Sequence, residues 1–190
     1  QWSIVNGACT SNDQVSVLVN APPTSANAGP DQTICTTTAS VTLAGNAASV
    51  GTGTWTKVSG PAAGTITTPS SPTTTVTGLS LAGTYVYQWT IANAPCTASS
   101  DQVSIFVNAP PTTANAGPDQ TICTSTASVT LAGNAASVGT GAWTKVSGPA
   151  AGTITTPSSA TTTVTGLSLP GTYVYQWTIA NAPCTASSDQ

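Results

Sequence analysis

The chain contains the same sequence twice at a fixed spacing. Residues 20–102 and 108–190 align at an offset of 88 residues and differ at five of 83 positions. A shorter third copy covers residues 1–19, which repeat the pattern that begins at Gln88. A fixed period of this length predicts an array of structural units in which each unit contacts its neighbour in the same way. The five differences are Ser25/Thr113, Thr37/Ser125, Thr54/Ala142, Pro72/Ala160 and Ala82/Pro170.

The near absence of charge excludes several classes of function. Charged side chains make up 4% of the 190 residues, against about 25% in an ordinary soluble domain. The sequence has no His, Glu, Arg or Met, and its only cations are Lys57 and Lys145, which occupy one position of the repeat. Nucleic-acid binding requires clustered Lys and Arg, and acid–base catalysis draws mostly on His, Glu, Asp and Lys. We therefore expect no enzyme activity, no cofactor and no nucleic-acid partner.

The cysteines indicate an oxidising compartment. Five Cys recur at two positions of the repeat, and no two of them lie within 25 residues of each other. Zinc sites use closer spacings, whereas regularly repeated Cys without His indicate disulfides. The sequence begins at Gln1 rather than Met, as a processed product would, and no apolar run approaches the roughly 20 residues of a membrane span. We therefore expect an extracellular or cell-surface location and no membrane span.

One repeat predicts seven short strands. Apolar and polar residues alternate with period two, turn residues recur about every 8–12 residues, and no helical period occurs. In the strongest strand, Tyr85, Tyr87, Trp89 and Ile91 share one face. Seven strands in about 88 residues predict a β-sandwich of immunoglobulin type. We assign strands A to G to residues 31–35, 39–43, 53–58, 65–67, 73–77, 85–91 and 103–107, with Gly83 before strand F.

Two proline-containing linkers define the domain boundaries. Asn20-Ala21-Pro22-Pro23 recurs as Asn108-Ala109-Pro110-Pro111, and paired prolines favour an extended spacer and stop strand pairing. The predicted fold class is all-β, with sandwiches of about seven strands arranged like beads on a string. We expect a partial repeat at 1–19 that carries an F/G segment, one repeat at 20–107, and a second at 108–190 that lacks its last strand.

Three segments of the repeat resemble the polycystic-kidney-disease (PKD) type of immunoglobulin-like repeat. They are Ala26-Asn27-Ala28-Gly29-Pro30-Asp31-Gln32-Thr33, Val41-Thr42-Leu43 and Gly83-Thr84-Tyr85. The likeness covers essentially the whole chain and is greatest to Cys-containing versions in long tandem arrays on secreted bacterial surface proteins. For function the resemblance implies only extracellular stalks, adhesins and fibres, because a fold does not determine a function.

Few side chains are candidates for a binding site. Asp31 and Asp101 begin strands at one end of the predicted sandwich, and Asp119 repeats Asp31. Calcium prefers six to eight oxygen ligands with several carboxylates, so these three are weak candidates and we expect no metal site. Trp55 and Trp89 would form a carbohydrate-stacking platform if they were exposed, but a tryptophan on strand C usually packs in the core.

Two covalent modifications bear on this composition, an isopeptide bond and O-linked glycosylation. An isopeptide bond between Lys57 and Asn46 would need a buried acid, which the sequence does not place there, so we expect a solvated or Asp-paired lysine. The sequence has no Asn-x-Ser/Thr sequon. Its many Thr and Ser on outward strand faces have two explanations. Either they carry O-linked glycans, or they are present only because these residues favour β-strands.

The cysteine connectivity has two solutions. In the predicted sandwich, Cys35 ends strand A and Cys96 lies in the F–G turn, about 17–20 Å away at the opposite end, whereas a disulfide needs Cα atoms within about 7 Å. We favour Cys35–Cys184 across the domains, which leaves Cys96 and Cys123 to bond neighbouring chains or repeats. The alternative pairs Cys35 with Cys96 and Cys123 with Cys184.

The two ends of the sequence are complementary. The second repeat stops at Gln190, where the first continues with residues 103–107, and Val15-Ser16-Val17-Leu18-Val19 has the pattern of a strand G without a domain. Either the sequence is a window of a longer continuous array, or residues 15–19 of one subunit complete the open sandwich of another by donor-strand exchange. In an exchanged strand, the inward side chains are Val15, Val17 and Val19.

These features together predict a structural subunit or segment of an extracellular fibre or stalk without catalysis. Its partners are copies of itself in head-to-tail contact, because a heterologous contact that does not close generates a filament. One alternative is a carbohydrate-binding adhesin module, which would expose its tryptophans. The other is a spacer of a larger secreted enzyme.

Overall fold

The computed structural model describes all residues from 1 to 190 and is all-β, with fifteen strands and no helix. An N-terminal hairpin precedes two sandwich units, which we call unit 1 (residues 20–107) and unit 2 (residues 108–190). The predicted fold class, tandem immunoglobulin-like sandwiches, is confirmed.

Unit 1 has seven strands that correspond to predicted strands A to G. They are β3 (Gln32–Cys35), β4 (Ser40–Ala44), β5 (Thr52–Ser59), β6 (Thr65–Ile66), β7 (Thr73–Thr77), β8 (Gly83–Asn93) and β9 (Cys96–Asn108). One sheet has the order β3-β9-β8-β5 and the other has the order β4-β7-β6.

The core of unit 1 follows from the period-two alternation of its strands. In β8 the side chains of Tyr85, Tyr87, Trp89 and Ile91 are fully buried, while the residues between them face outward or are half-buried. Successive side chains of a strand point to opposite faces, so an alternating sequence buries one complete face. The partners on the opposite sheet include Leu43, which is also fully buried.

Strand β9 holds the unit together because it contacts both neighbours in its sheet. It pairs antiparallel with β8, and its C-terminal half pairs in parallel with β3, from Gln32 opposite Ile105 to Cys35 opposite Asn108. Its inward side chains, Val103, Ile105 and Val107, are almost completely buried. Removal of this half-strand would therefore expose the core and leave β3 without a partner.

One residue in unit 1 departs from the predicted strand pattern. Ala39 was expected to begin strand B, but it is exposed, lies before β4 and has φ of 53°. Its carbonyl oxygen accepts a hydrogen bond from the Leu79 amide, and this turn aligns β4 for pairing with β7. Apolar alternation did not reveal this position, because an alanine with positive φ is uncommon.

Unit 2 repeats this arrangement with fewer and shorter strands. Its sheets have the orders β10-β13-β12 and β11-β14-β15. No strand forms at residues 120–123, the equivalent of β3, because no residue of the 190 occupies the position that 103–107 takes in unit 1. The strands are β10 (Ser128–Ala132), β11 (Thr140–Ser147), β12 (Thr153–Ile154), β13 (Thr161–Thr165), β14 (Val174–Ala180) and β15 (Ser187–Asp189).

The N-terminal segment forms a separate hairpin. Strands β1 (Trp2–Asn6) and β2 (Cys9–Asp13) pair antiparallel, and every residue in them is exposed. Residues 15–19, which were expected to have the pattern of a strand G, form no strand and pair with nothing in the chain. An isolated strand has no stability of its own, and no sheet edge of the same chain receives it.

Candidate functional site

The strongest candidate site is the junction between the two units, where the linker is clamped by two asparagine amides. Asn108 donates a side-chain hydrogen bond to the carbonyl oxygen of Ala182 at 2.7 Å. In return, the side chain of Asn181 donates to the carbonyl oxygen of Ala109 at 2.8 Å. These reciprocal bonds fix the start of the linker against the turn between β14 and β15. We call this turn, residues 181–184, the leading end of unit 2.

A disulfide crosses the same junction. Cys35 leaves β3 beside Asn108, and the structure joins it to Cys184 at the leading end of unit 2, with Cα atoms 5.0 Å apart. The amide of Thr36 also donates to the carbonyl oxygen of Asn108 at 2.9 Å. Cys96, Cys123 and Cys9 are free thiols. The Cys35–Cys184 pairing stays a prediction that peptide mapping can test. A peptide that joins Cys35 to Cys96 would contradict it.

The leading end of unit 1, residues 93–96, has the same arrangement of hydrogen bonds, but its cysteine forms no disulfide. Asn20 donates to the carbonyl oxygen of Ala94, and Asn93 donates to that of Ala21, both at 2.8 Å. The sulfur of Cys96 lies 3.5 and 3.4 Å from the carbonyl oxygens of Asn20 and Ala21. The sulfur of Cys184 lies 3.3 Å from the two equivalent oxygens. Cys96 therefore occupies the position that the disulfide-bonded cysteine occupies in unit 2.

Sequence reasoning missed the four clamping asparagines. Asn20 and Asn108 were assigned only to linkers, and Asn93 and Asn181 were given no role. A signal was present, because both pairs recur at the offset of 88 and each asparagine precedes an Ala-Pro dipeptide. Their side chains reach carbonyl oxygens more than 70 residues away in the chain, which strand periodicity does not encode.

Unit 2 carries an open groove at the opposite, trailing end. A cavity of about 700 Å³ lies between residues 116–122, the inward faces of β10 and β14, and Gln190. Its lining includes Ile122, Leu131 and Tyr175. In unit 1 the C-terminal half of β9 fills the equivalent space. Cys123 lies next to this groove, is exposed, and has no partner within the chain.

The equivalent buried tyrosines of the two units differ in their hydrogen bonds. The hydroxyl of Tyr87 in unit 1 donates to the carbonyl oxygen of Gly64 at 3.4 Å, whereas the buried hydroxyl of Tyr175 has no hydrogen-bond partner. Burial, with a smaller contribution from the neighbouring Tyr85, raises the pKa of Tyr87 to about 12. Burial, and then Tyr173, also raises the pKa of Tyr175.

Four of the five tryptophans form the centres of the two cores, and the fifth, Trp2 in the N-terminal hairpin, is 71% exposed. Trp55 and Trp89 have ring centroids 5.1 Å apart, Trp143 and Trp177 have centroids 5.2 Å apart, and all four are buried. The indole nitrogens of Trp55 and Trp89 donate to the carbonyl oxygens of Pro72 and Asn46. The faces that would stack on a sugar are thus inside the sandwich.

The aspartates accept backbone hydrogen bonds. Asp31 accepts one from the Ser104 amide, which ties β3 to β9, and Asp101 accepts one from the Ala28 amide, each at 2.8 Å. No group of three or more His, Cys, Asp or Glu side chains comes together anywhere in the chain. Asp119, at the rim of the open groove, lacks the residue that would correspond to Ser104. The calcium hypothesis for Asp31, Asp101 and Asp119 stays untested.

The lone lysine of each repeat is half-buried and is not paired with an aspartate. The Lys57 ammonium donates to the carbonyl oxygens of Pro61 and Ala63, and it lies 4.9 Å from the centre of the Tyr85 ring. The side chain of Asn46 is used elsewhere, since it accepts from the Asn27 amide and donates to a carbonyl of the preceding loop. The lysine therefore closes the turn after β5, and no isopeptide geometry is present.

The family model for the K319L-like PKD domain matches residues 28–107 and again residues 116–190. The two matches cover most of the sequence. The chain belongs to this family. The predicted PKD-type tandem repeat is therefore confirmed.

Solved structures that resemble this chain include the extracellular domains of one protein and a single PKD domain of another. Murine CEACAM1b is 16% identical with a TM-score of 0.55, and the match covers 86% of this chain and 94% of that one. Domains 3–5 of Drosophila OTK are 12% identical with a TM-score of 0.56, covering 84% of this chain and 57% of that one. The PKD domain of the KIAA 1837 protein is 26% identical with a TM-score of 0.40, and it matches over 56% of this chain and its own full length. At these identities the first two likenesses establish the fold alone.

A disulfide and PKD-type domains are typical of extracellular or cell-surface proteins. None of the structure's elements is a helix of the length and apolar character that a membrane span requires. Tandem domains of the PKD type are typical of structural or adhesion-type extracellular modules.

Proposed function

We propose that this chain is a load-bearing segment of an extracellular fibre or stalk and that it performs no catalysis. The observation that carries the proposal is the junction between units 1 and 2. There a disulfide, two amide clamps and the Thr36 hydrogen bond act together on a linker of a few residues. A flexible tether between independent binding domains would need none of these bonds.

The disulfide also protects both units against tension along the chain. Cys35 and Cys184 are 149 residues apart in sequence, so the bond encloses nearly all of unit 1 and unit 2. A pulling force that enters near residue 20 passes through this covalent bond and does not unfold the enclosed strands. A stalk that has to keep its length under load benefits from this arrangement.

The surface chemistry supports an extracellular stalk. Lys57 and Lys145 donate to backbone carbonyls, so no basic side chain is freely presented at the surface. Sites for trypsin-like proteases are correspondingly scarce. Many outward-facing threonines are exposed, such as Thr42 and Thr56, and we propose O-linked glycans on these faces as the solvating groups of an almost uncharged surface.

The two rival functions have less support. The carbohydrate-binding adhesin was expected to expose the tryptophans of its repeats, and Trp55, Trp89, Trp143 and Trp177 are all buried. A spacer of a secreted enzyme would contain the same junction. Such a spacer would have the same mechanical role as a stalk. The adhesin alternative does not explain why the linker is clamped by two asparagine amides.

Single-molecule stretching of the chain by its two ends tests the load-bearing role. In the oxidised chain, the segment between the bonded cysteines, which are 149 residues apart in sequence, bears none of the force. Each residue contributes at most about 3.3–3.6 Å when fully extended, so addition of a thiol reductant should lengthen the extended chain by roughly 500 Å.

Two single substitutions serve as matched controls for this measurement. Cys35→Ser should give the reduced length under oxidising conditions, and Cys9→Ser should behave like the unchanged chain. Equal lengths with and without reductant would contradict the load-bearing role of the junction, whatever the chain does in assembly.

A further inference from the structure

The outward face of the β4-β7-β6 sheet in unit 1 carries hydroxyl groups and no charge. Along β4 and β7 the inward side chains Val41, Leu43 and Val76 are buried, and the residues between them face solvent. A soluble surface normally carries about 25–35% charged residues, and this face has none. The outward residues, which we call the hydroxyl face, are Ser40, Thr42 and Ala44 of β4, Thr73, Thr75 and Thr77 of β7, and Thr65 of β6.

The strand register aligns these hydroxyls in rows across the sheet. Ser40 and Thr65 both lie opposite Thr77, and Thr42 lies opposite Thr75. Neighbouring strands lie about 4.8 Å apart, and successive residues on one face of a strand lie about 6.6 Å apart. Hydroxyls at these spacings form a dense array of oxygen atoms on one side of unit 1.

Several hydroxyls of this face are free to react. Side-chain donors reach Thr42 and Thr73 at their backbone carbonyl oxygens and leave their hydroxyls unused. Thr77 is exposed, as these two are. By contrast, the hydroxyl of Thr67, just after β6, donates to the carbonyl oxygen of Thr75 at 3.0 Å. The structure therefore separates exposed threonines with a free oxygen from an exposed threonine whose oxygen is engaged.

The outward face of the other sheet is chemically different. The Gln102 side chain donates to the side-chain oxygen of Gln88 at 3.0 Å, and the Gln88 amide donates to the Thr90 hydroxyl at 3.2 Å. Val58 and Phe106 on the same face are 50% and 40% exposed. Amides and apolar groups therefore occupy much of this face. The exposed threonines of its edge strand β5 are Thr52, Thr54 and Thr56.

Unit 2 repeats the hydroxyl face without change. Strand β13 pairs with β10 and β12 in the register that β7 has with β4 and β6. None of the five sequence differences falls on this face, whereas Thr54/Ala142 falls on the edge strand of the other sheet. The same array therefore recurs in both units. Its residues in unit 2 are Ser128, Thr130, Ala132, Thr153, Thr161, Thr163 and Thr165.

We propose that the hydroxyl face is a modification site that carries most of the O-linked glycans of each unit, with Thr42, Thr73 and Thr77 as the acceptors in unit 1. This inference rests on the proposed extracellular stalk role and assigns the glycans of that role to one sheet. The equivalent acceptors in unit 2 are Thr130, Thr161 and Thr165.

The three acceptors are far enough apart to carry one glycan each. Thr42 lies opposite the half-buried Thr75, so it is diagonal to both Thr73 and Thr77. Diagonal neighbours on one face are about 7–8 Å apart, and Thr73 and Thr77 are about 13 Å apart along β7. The residues directly opposite Thr77 are closer, so a sugar on Thr77 would collide with a second one there.

Glycan attachment is a group transfer from an activated sugar phosphate, such as a nucleotide sugar. The threonine Oγ attacks the anomeric carbon, and the new carbon–oxygen bond forms as the bond between that carbon and the phosphate oxygen breaks. The phosphate leaves with the electron pair, and the hydroxyl proton passes to a base of the transferase. The attached sugar is bulky and solubilising, so it hydrates a face that has no charge.

Site mapping by mass spectrometry of protein purified from its native source tests the proposal. Electron-transfer fragmentation keeps the sugar on its residue, and a protease other than trypsin is needed because the only basic residues are two lysines. We expect sugar masses on Thr42, Thr73 and Thr77 and none on Thr67. Alkaline β-elimination should release the sugar and denaturation alone should not, which distinguishes a covalent glycan from a bound polysaccharide.

Two triple variants made in the same source provide a matched comparison. Valine keeps the β-branched shape of threonine and removes the hydroxyl, and all six positions are exposed, so both variants should fold. The first combines Thr42→Val, Thr73→Val and Thr77→Val and should lose most of the periodate-reactive carbohydrate on peptides of unit 1. The control combines Thr52→Val, Thr54→Val and Thr56→Val and should keep most of it.

Three results would overturn the inference and leave the load-bearing role intact, because stretching measures the disulfide and not the surface. The first is native protein without sugar on any Ser or Thr. The second is glycans that lie mostly on β5 or in the loops. The third is carbohydrate that denaturation releases without alkali. Glycans at the expected sites in a chain that reductant does not lengthen would contradict the load-bearing role alone.

Discussion

Units 1 and 2 have almost the same sequence but different cores. Thirteen buried residues form the core of unit 1 and seven form that of unit 2. Leu43 and Tyr85 are fully buried, whereas Leu131 and Tyr173 at the equivalent positions are only half-buried. None of the five sequence differences falls at these positions. The comparison shows that the last strand, and not the sequence of the other strands, completes the core.

The size of this effect can be estimated from the three inward side chains of the missing half-strand. Burial of one Val or Ile side chain stabilises a fold by about 1.5–3 kcal/mol, so three of them contribute about 5–9 kcal/mol. The whole free energy of unfolding of a small domain is about 5–15 kcal/mol. A sandwich unit of this type that loses these three side chains is therefore expected to be marginally stable.

The largest expected effect comes from a chain extended after Gln190 by a copy of residues 103–108. The added strand should fill the groove in the same chain and slow hydrogen exchange at the amides of β14 to the level of β8. Hydrogen-exchange mass spectrometry compares the two strands in one sample. A matched extension with Ser at the three inward positions should leave β14 exchanging fast, and equal protection by both extensions would contradict the role of the groove.

The reverse change should make unit 1 resemble unit 2. Ile105→Ala removes the central inward side chain of β9, and we expect a loss of about 2–5 kcal/mol in the free energy of unfolding of unit 1. Phe106→Ala changes the next residue, which is 40% exposed and faces outward, so it should cost much less. Urea unfolding of both variants measures the difference. A similar loss in both would mean that β9 acts mainly through its backbone pairing.

How far the sequence alone predicts these units depends on whether a feature is local. The alternation within each strand is a property of consecutive residues, so the strands can be predicted from it. In β8 the same alternation predicts that Trp89 is buried. The clamp between Asn108 and Ala182 joins distant residues through a turn, and no local pattern encodes it. The fate of residues 15–19 is not local either, because the same pattern forms a strand in unit 1 and none at the N-terminus.

A third prediction concerns a feature that both units share and that the missing strand should not affect. A Cβ atom added at Gly53 would lie 2.0 Å from the ring of Trp89, and one added at Gly141 would lie 2.1 Å from that of Trp177. Both indoles are fixed by a hydrogen bond and by the paired tryptophan, so the ring cannot move aside. Gly53→Ala and Gly141→Ala should each cost about 1–3 kcal/mol by overpacking.

The chain itself supplies the control for this pair. Thr54 is replaced by Ala142 in unit 2, next to the glycine and on the outward face of the strand, so Thr54→Ala should change the stability by less than about 0.5 kcal/mol. Thermal unfolding of the three variants measures the differences. A much smaller cost at Gly141 than at Gly53 would show that the open groove lets the core of unit 2 relax around the added methyl group.

The smallest expected effect is an alkaline loss of stability that distinguishes the two tyrosines. The pKa of Tyr87 is raised from its ordinary value of 10.0 to about 12 by burial, with Tyr85 as the smaller cause. Below pH 10 both the folded and the unfolded chain keep this proton, so stability does not change. Between pH 10 and about pH 12 the unfolded chain releases the proton and the folded chain retains it, so the free energy of unfolding of unit 1 falls as pH rises. Urea midpoints measured across this range should decline less in Tyr87→Phe than in the unchanged chain.

The pKa of Tyr175 is raised in the same direction, so Tyr175→Phe should act on unit 2 with the same sign. Because the Tyr175 hydroxyl has no partner to lose, its replacement should not destabilise unit 2 at neutral pH. Parallel declines in all three chains would show that neither hydroxyl is protected from water.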